Sequence, residues 1–275
     1  MKFSVITPCL NAAAHVVETA ASVLGQSALR DGAELEYIVC DGGSTDGTLE
    51  ALRTLAAPAM RVISEPDGGM YDALARGLRL ATGDVVAYLN AGDYFHPHAF
   101  AVVREVMNAF PDCRWLTGWA VVYNAAGAAV KLDLPPSYRR RLHRCGAYGA
   151  CGGFLPPLQQ ESTFWRRELM QTVDFERLAR LRLAGDYYLW RCFTETADLH
   201  IVSAQLGGFR VEPGQLSADR ASYREEMLRL SSAPGPLDWL LVLYDKITWY
   251  LPPAVKKALN PRYLHLYDHG AERWT

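Results

Sequence analysis

A mostly parallel α/β sheet covered by helices on both faces is the fold that this 275-residue sequence predicts. Three observations predict it. Strand-like and helix-like runs alternate four times within about the first 95 residues. Each strand-like run ends in a polar cluster. Half of the residues are hydrophobic and 21% are charged, which suits a globular chain with a real core.

The first run, Phe3-Ser4-Val5-Ile6, is punctuated by Pro8, which disfavours a helix at Thr7, and by Asn11. From Ala12 to Leu24, the residues Val16, Val17, Ala20, Val23 and Leu24 recur at helical spacing. Leu35 to Cys40 reads as a second buried strand, stopped by Asp41-Gly42-Gly43. Ser44, Thr45 and Asp46 are good N-cap types for a helix to about Ala56. Met60 to Ser64 is a third strand and Asp67-Gly68-Gly69 a turn. Met70 to Ala81 is a helix ending at Gly83, and Asp84 to Leu89 a fourth strand. The clusters at Thr7–Asn11, Asp41–Ser44, Glu65–Asp67 and Asn90–Asp93 thus sit at carboxyl ends of strands, the edge where open α/β sheets bind ligands.

Beyond Asp112 the pattern changes. Arg114 to Tyr123 and Val130 to Leu134 read as a hairpin around Asn124-Ala125-Ala126-Gly127. Residues 145–157, rich in Gly and Pro, read as a loop, Leu178 to Thr194 as a helix, and Gln205 to Tyr223 as irregular. Leu237 to Leu251 is apolar and aromatic, closed by Pro252-Pro253 and followed by Lys256, Lys257 and Arg262. That pattern suits a helix lying in a membrane interface, or one packed on the domain or a dimer partner, and residues 237–262 are the expected contact.

The formal net charge of −2 argues against wholesale nucleic-acid binding, which needs a basic excess. The six cysteines form no CxxC pair and read as reduced thiols of a cytoplasmic protein. A strand-like run follows Met1 at once, so no signal peptide is expected, and no run has the roughly 18 apolar residues of a membrane span.

Val5-Ile6-Thr7-Pro8 with Asn11, then Val39-Cys40-Asp41-Gly42-Gly43-Ser44-Thr45-Asp46-Gly47-Thr48, resembles the family-2 glycosyltransferases of the GT-A (Rossmann-like) fold. Glu65-Pro66-Asp67-Gly68-Gly69-Met70-Tyr71-Asp72-Ala73, Arg76-Gly77 and Leu89-Asn90-Ala91-Gly92-Asp93 extend the likeness, which covers roughly residues 1–110. It implies a nucleotide-sugar-binding half over 1–112, an acceptor-binding and catalytic half over 113–234, and an amphipathic helical tail over 235–275.

The resemblance implies an inverting transfer from a UDP- or GDP-sugar to a glycan or lipid-linked glycan, of the kind that builds bacterial surface polysaccharides. Thr7 and Pro8 would line the base and ribose pocket, with Asn11, Gly42 and Ser44 in the same loops. Asp41 would accept from the base and Asp67 would lie at the nucleotide's other side. Arg76 is either a diphosphate contact or a solvated helix charge, and Asp72 a helix-stabilising carboxylate or a ligand contact. A diphosphate leaving group calls for charge neutralisation, which Mn²⁺ or Mg²⁺ supplies through oxygen ligands. The family places an Asp-x-Asp motif here, whereas Asn90-Ala91-Gly92-Asp93 leaves Asp93 as metal ligand, with Asn90 a neutral helper near ribose or phosphate.

The acceptor hydroxyl needs a base. Asp186, in Leu183-Ala184-Gly185-Asp186, matches the family's acidic residue at a helix start, where the dipole would keep it ionised; Gly185 replaces the acid that often precedes it. Glu161 is the alternative base, and Gln160 and Glu161 otherwise read as acceptor-side contacts. His96 and His98 are loop histidines or a metal pair, and Arg139, Arg140, Arg141 and Arg144 a phosphate clamp or a solvated face. Two rivals stand beside this reading. A nucleotidyltransferase should carry a Gly-rich loop with a cation after the first strand, which Pro8-Cys9-Leu10-Asn11 does not. A catalytically silent sugar-nucleotide or glycan-binding module would suit the thinned motif at Asn90–Asp93. The expected location is cytoplasmic, with possible peripheral contact on the inner membrane face.

Overall fold

The computed structural model describes residues 1–55, 57–149, 154–211, 215 and 219–275. The first four strands follow the predicted alternation closely. They are β1 (Lys2–Cys9), β2 (Glu34–Asp41), β3 (Met60–Ser64) and β4 (Val85–Tyr88), separated by α1 (Val16–Leu24), α2 (Thr48–Arg53) and α3 (Met70–Leu80). Then come β5 (Tyr94–Phe95), α4 (Ala99–Ala109), β6 (Trp115–Thr117), β7 (Ala120–Tyr123), β8 (Ala129–Asp133) and α5 (Arg140–Arg144). The remainder holds β9 (Thr163–Arg166), α6 (Phe175–Ala179), α7 (Gly185–Phe193), β10 (His200–Val202), β11 (Gly207–Arg210), α8 (Arg220–Leu230), α9 (Pro236–Thr248), α10 (Pro253–Leu259) and β12 (Leu264–His265).

The main sheet has eight strands in the order β12-β10-β6-β9-β4-β1-β2-β3. β1 pairs in parallel with β2 on one side and β4 on the other, so the strand order reverses between β1 and β4. Such a switch point opens a crevice at the carboxyl ends. β9 runs antiparallel to β4. Its start, with Gln160 and Glu161 just before it, therefore reaches the same edge as the ends of β1 to β4. Both faces are covered, as predicted. Alternation along β1 sends Phe3 and Val5 to a core with α1 and α4, and Ile6 to a core with α3 and α7. In the second core Trp115, Trp165, Trp190 and Phe193 pack ring on ring at 5.4–5.9 Å.

The second half departs from expectation in four places. The β7–β8 hairpin forms, but Trp115–Thr117 is a separate strand of the main sheet. The single helix expected over Leu178–Thr194 is broken, because Glu226 accepts from the amides of Arg182, Leu183 and Ala184 and so holds them out of a helical ladder. The stretch expected to be irregular contains β11 and the start of α8. Gly207 and Gly208 hid the strand, since glycine is a poor strand former, yet a Cβ there would press on the Glu161 carbonyl and the Tyr123 ring. Finally, the C-terminal segment is more than a helical tail. Its β12 pairs with β10, so the three sequence blocks share one sheet. Ala56, residues 150–153 of the loop expected at 145–157, and residues 212–214 and 216–218 of the stretch Gln205–Tyr223 lie outside the described residues.

The arginine run is structural. Arg139 pairs with the buried Asp245 at 3.0 Å, Arg141 with Asp238 and Arg144 with Glu195, while Arg140 donates to the carbonyls of Thr194 and Glu195. These bonds dock α9 and the end of α7 onto the fold, which replaces the phosphate-clamp expectation. Among the described residues no helix is long and apolar enough to cross a membrane.

Candidate functional site

Three loops lock together at the ends of β1, β2 and β3. Asn11, at φ +50°, accepts from the Thr45 amide at 3.0 Å and donates its own amide to Ser44 Oγ at 2.7 Å. The Gly42 amide donates to the Cys9 carbonyl at 2.9 Å. A Cβ on Gly42 would sit 2.7 Å from an Asp67 oxygen, so only glycine lets the second and third loops meet. Asp67 in turn accepts from the Gly69 amide at 2.8 Å.

Asp41 organises this junction. It accepts from the amides of Gly43 and Ser44 at 3.1 and 3.0 Å, from Ser64 Oγ at 2.6 Å, and from Ser44 Oγ. Burial pushes its carboxyl upward, but the Ser44 and Ser64 hydroxyls and the two amides outweigh that and hold it below the usual range. Those four donors fill its lone-pair directions, so a bond from a nucleobase requires one of them to be given up. Thr7 differs from expectation. Its side chain is fully buried and receives the Tyr37 hydroxyl at 3.1 Å, so it does not line a pocket. Pro8 is buried as well. Arg76 turns back on its own neighbourhood, pairing with Asp72 at 2.8 Å and donating to the Pro66 carbonyl. Asp72 also accepts from the Gly68 amide at 2.9 Å, which makes it the structural carboxylate of the alternatives above.

The Asn90–Asp93 turn follows β4. Gly92 adopts φ +109° and its amide donates to Thr19 Oγ1 at 2.9 Å, while Ala91 bridges to Asp93. Asp93 is buried; it accepts from the Arg210 amide at 3.0 Å and hydrogen-bonds Glu161. One oxygen of Asp93 anchors β11 and the group faces a second carboxyl, and among the described residues no set of three acidic, His or Cys side chains gathers to hold an ion, so a cation here would take its remaining ligands from the donor's phosphates and water. His96 and His98 stay apart from Asp93. His98 Nδ1 bonds Ser27 Oγ at 2.9 Å and the His96 carbonyl accepts from Gln26, which fixes the α1–α4 junction. Asn90 donates to Gln160 at 3.3 Å, and its buried Oδ1 has no partner in the structure.

Asp186 and Glu161 converge. Burial raises the Glu161 carboxyl, its own backbone amide lowers it, and the Asp186 charge raises it further. Burial likewise pushes Asp186 up to about 6, against the lowering bonds from the Tyr187 amide, Tyr223 and Tyr71. The expectation that the helix dipole keeps Asp186 low is thus overturned, because desolvation outweighs it. Tyr223 Oη donates to both Asp186 oxygens at 3.0 and 3.2 Å, and the Tyr187 amide donates at 2.7 Å. Tyr71 is buried against Gly185 and donates to the Leu183 carbonyl at 3.0 Å. Asp186 itself remains half-buried, whereas Glu161 is closed off.

Three of these partners carry no warning in the sequence. Tyr71 stands inside a quoted motif, where only its place at the start of a helix hints at a role. Tyr223 and Glu226 lie on α8, whose weak amphipathic pattern concealed it.

Solved structures share this open α/β sheet with polar loops at its switch point, which places the chain in the GT-A fold. The S. aureus TarS 1–349 complex with UDP-GlcNAc superposes with a TM-score of 0.63 at 17% identity, covering 94% of this chain and 70% of that one. A Pyrobaculum calidifontis mannosyltransferase in complex with GDP-Man and Mn²⁺ gives 0.57 at 21% identity, over 94% and 74%. Residues 4–125 match the model for glycosyl transferase family 2. A Mycobacterium tuberculosis PGL/p-HBAD biosynthesis glycosyltransferase is 29% identical over 220 residues, which is 75% of this chain and 77% of the relative. A Pasteurella multocida chondroitin synthase is 33% identical over 98 residues, 35% of this chain, and the match spans only 10% of that relative's length.

Proposed function

We propose that this chain is an inverting glycosyltransferase that moves a sugar from a UDP- or GDP-sugar to a hydroxyl of a glycan or lipid-linked glycan in bacterial polysaccharide or glycolipid assembly. The observation that carries the reading is Asp186, half-buried at the rim formed by the strand ends and held in one orientation by Tyr223, Tyr187 and Tyr71. As the acceptor oxygen attacks the anomeric carbon, its proton passes to Asp186. The bond from that carbon to the donor's phosphate oxygen breaks, and its electron pair leaves with the nucleoside diphosphate. Structural neighbours in complex with UDP-GlcNAc and with GDP-Man support the donor class. No step is assigned to a cation, given the commitments of Asp93 described above.

A thermal-shift screen of nucleoside diphosphates tests the donor half. UDP or GDP is expected to raise Tm, because a ligand bound only by the native state stabilises it. The rise should persist in EDTA. If no nucleotide raises Tm, the donor assignment falls. If Mn²⁺ adds an increment that Asp93→Ala removes, Asp93 is restored as a metal ligand.

Tyr223→Phe tests the acceptor half. The Tyr223 hydroxyl lowers the Asp186 carboxyl, so its loss moves that group upward. The base works ionised, so the rate rises with pH through about 6 in the wild type. In the variant that rise is expected at higher pH, with a deficit of about three- to tenfold below neutrality that closes in alkaline buffer. A uniform loss at every pH would mean that Tyr223 only holds the fold.

A further inference from the structure

The geometry points to α9 and α10 as a docking surface for an anionic lipid bilayer. α9 carries two carboxylates, and both are turned inward. Asp245 is fully buried between Ser137, Arg139 and Tyr148, and Asp238 is held by Arg141 and the Gly235 amide. The outward face is therefore free of acids. It presents Leu237, Leu240, Leu243, Tyr244 and Ile247, with Leu240 65% and Ile247 62% exposed. These positions recur at intervals of three and four, so they form one stripe along the helix. Tyr250, 89% exposed, extends it, and Trp239 adds an indole stacked edge-on against Phe154.

A water-soluble surface has no reason to keep this stripe bare. Each large aliphatic side chain left in water forgoes the stabilisation that burial would bring. Nor is the helix loosely attached, since its two inward carboxylates are ion-paired with Arg139 and Arg141, which fixes which face looks outward.

Charge selects the occupant. From 236 to 263 the only acids are Asp238 and Asp245, both already neutralised. Lys246 projects outward beside Phe154, and Lys257 donates to the main-chain oxygens of Pro261, Leu264 and Thr275. Arg262, 69% exposed, is ion-paired with Asp112 at 3.4 Å and so adds little net charge. Apolar residues flanked by Trp, Tyr and Lys match the boundary between acyl chains and anionic head groups. The helix would lie along the surface, since 13 residues are too few to span it. This assignment deepens the proposed function by bringing the acceptor side to a lipid-linked glycan, but binding is read without donor or acceptor, so its failure is separate from failure of the transferase reading.

The test is co-sedimentation of the full chain with phosphatidylcholine vesicles, with and without about a third phosphatidylglycerol. The expected result is binding to the anionic vesicles at least tenfold stronger than to the neutral ones. Leu240→Glu with Ile247→Glu should abolish it without lowering Tm, because both side chains face solvent. Lys246→Glu should weaken it severalfold. A wild type that stays in the supernatant with anionic vesicles overturns the proposal. So does a wild-type dimer that the double variant splits into monomers while vesicle binding is absent, which would assign the stripe to a second copy of the chain.

Discussion

Asp186→Asn is expected to reduce sugar transfer by about a thousandfold, within the range of about 10²–10⁴ that a positioned base contributes. The amide keeps the size of the carboxyl, and its oxygen still accepts from Tyr223 and the Tyr187 amide. It cannot take a proton at neutral pH. Nucleotide binding should be unchanged, because Asp186 stands on α7 and the donor loops stand on β1, β2 and β3. The wild-type rate should rise as pH passes through about 6 and level off above it, since the working form is the ionised one. The variant's residual rate should show no such step. Turnover against pH, with nucleotide affinity measured in parallel, gives both readouts. Retention of more than a tenth of the wild-type rate would transfer the role elsewhere. Glu161, the alternative base, is disfavoured on geometry: it is buried and bonded to Asp93, with its charge suppressed by burial and by Asp186.

The first half of the fold was legible because its signals are local. Val5 and Ile6 report a buried strand on their own, and Asp41-Gly42-Gly43 reports its end. The second half depends on contacts between distant segments. β11 exists because Gly207 lets its backbone lie against the Glu161 carbonyl, which no window of sequence around Gly207 reveals. The break before α7 depends on Glu226, more than forty residues away. The site divides in the same way. The residues that converge at the rim were readable from strand-end position, but the job of each was set by its partners. Asp41 looked like a ligand acceptor until its bonds to Ser44 and Ser64 accounted for it. Asp93 reads as a metal ligand from its position, and the structure adds a second job, since one of its oxygens holds the Arg210 amide. The Asp186 carboxyl was expected low from the helix dipole, whereas burial, which only the packed structure shows, raises it.

Gly185→Ala is expected to cost about 1–3 kcal/mol of stability and to reduce turnover by about tenfold or more. A Cβ at this position would stand under 3.0 Å from the Tyr71 ring. The ring has nowhere to go, since Tyr71 is 3% exposed and its hydroxyl is tied to the Leu183 carbonyl at 3.0 Å. Alanine is the better helix former by about 1 kcal/mol, but α7 begins at Gly185, where propensity weighs least, so the collision decides the sign. Relief by sliding the helix start would move Asp186, the next residue, away from Tyr223 and so displace the base. Calorimetric Tm together with turnover measures both effects. The same argument accounts for the absence of an acid at this position in this chain. Tyr71 occupies that volume, so Gly185→Glu should fail more severely than Gly185→Ala instead of restoring an acidic pair. If Gly185→Ala is as stable and as active as the wild type, Tyr71 does not fill the space beside the base, and the account of how Asp186 is held loses one of its three supports.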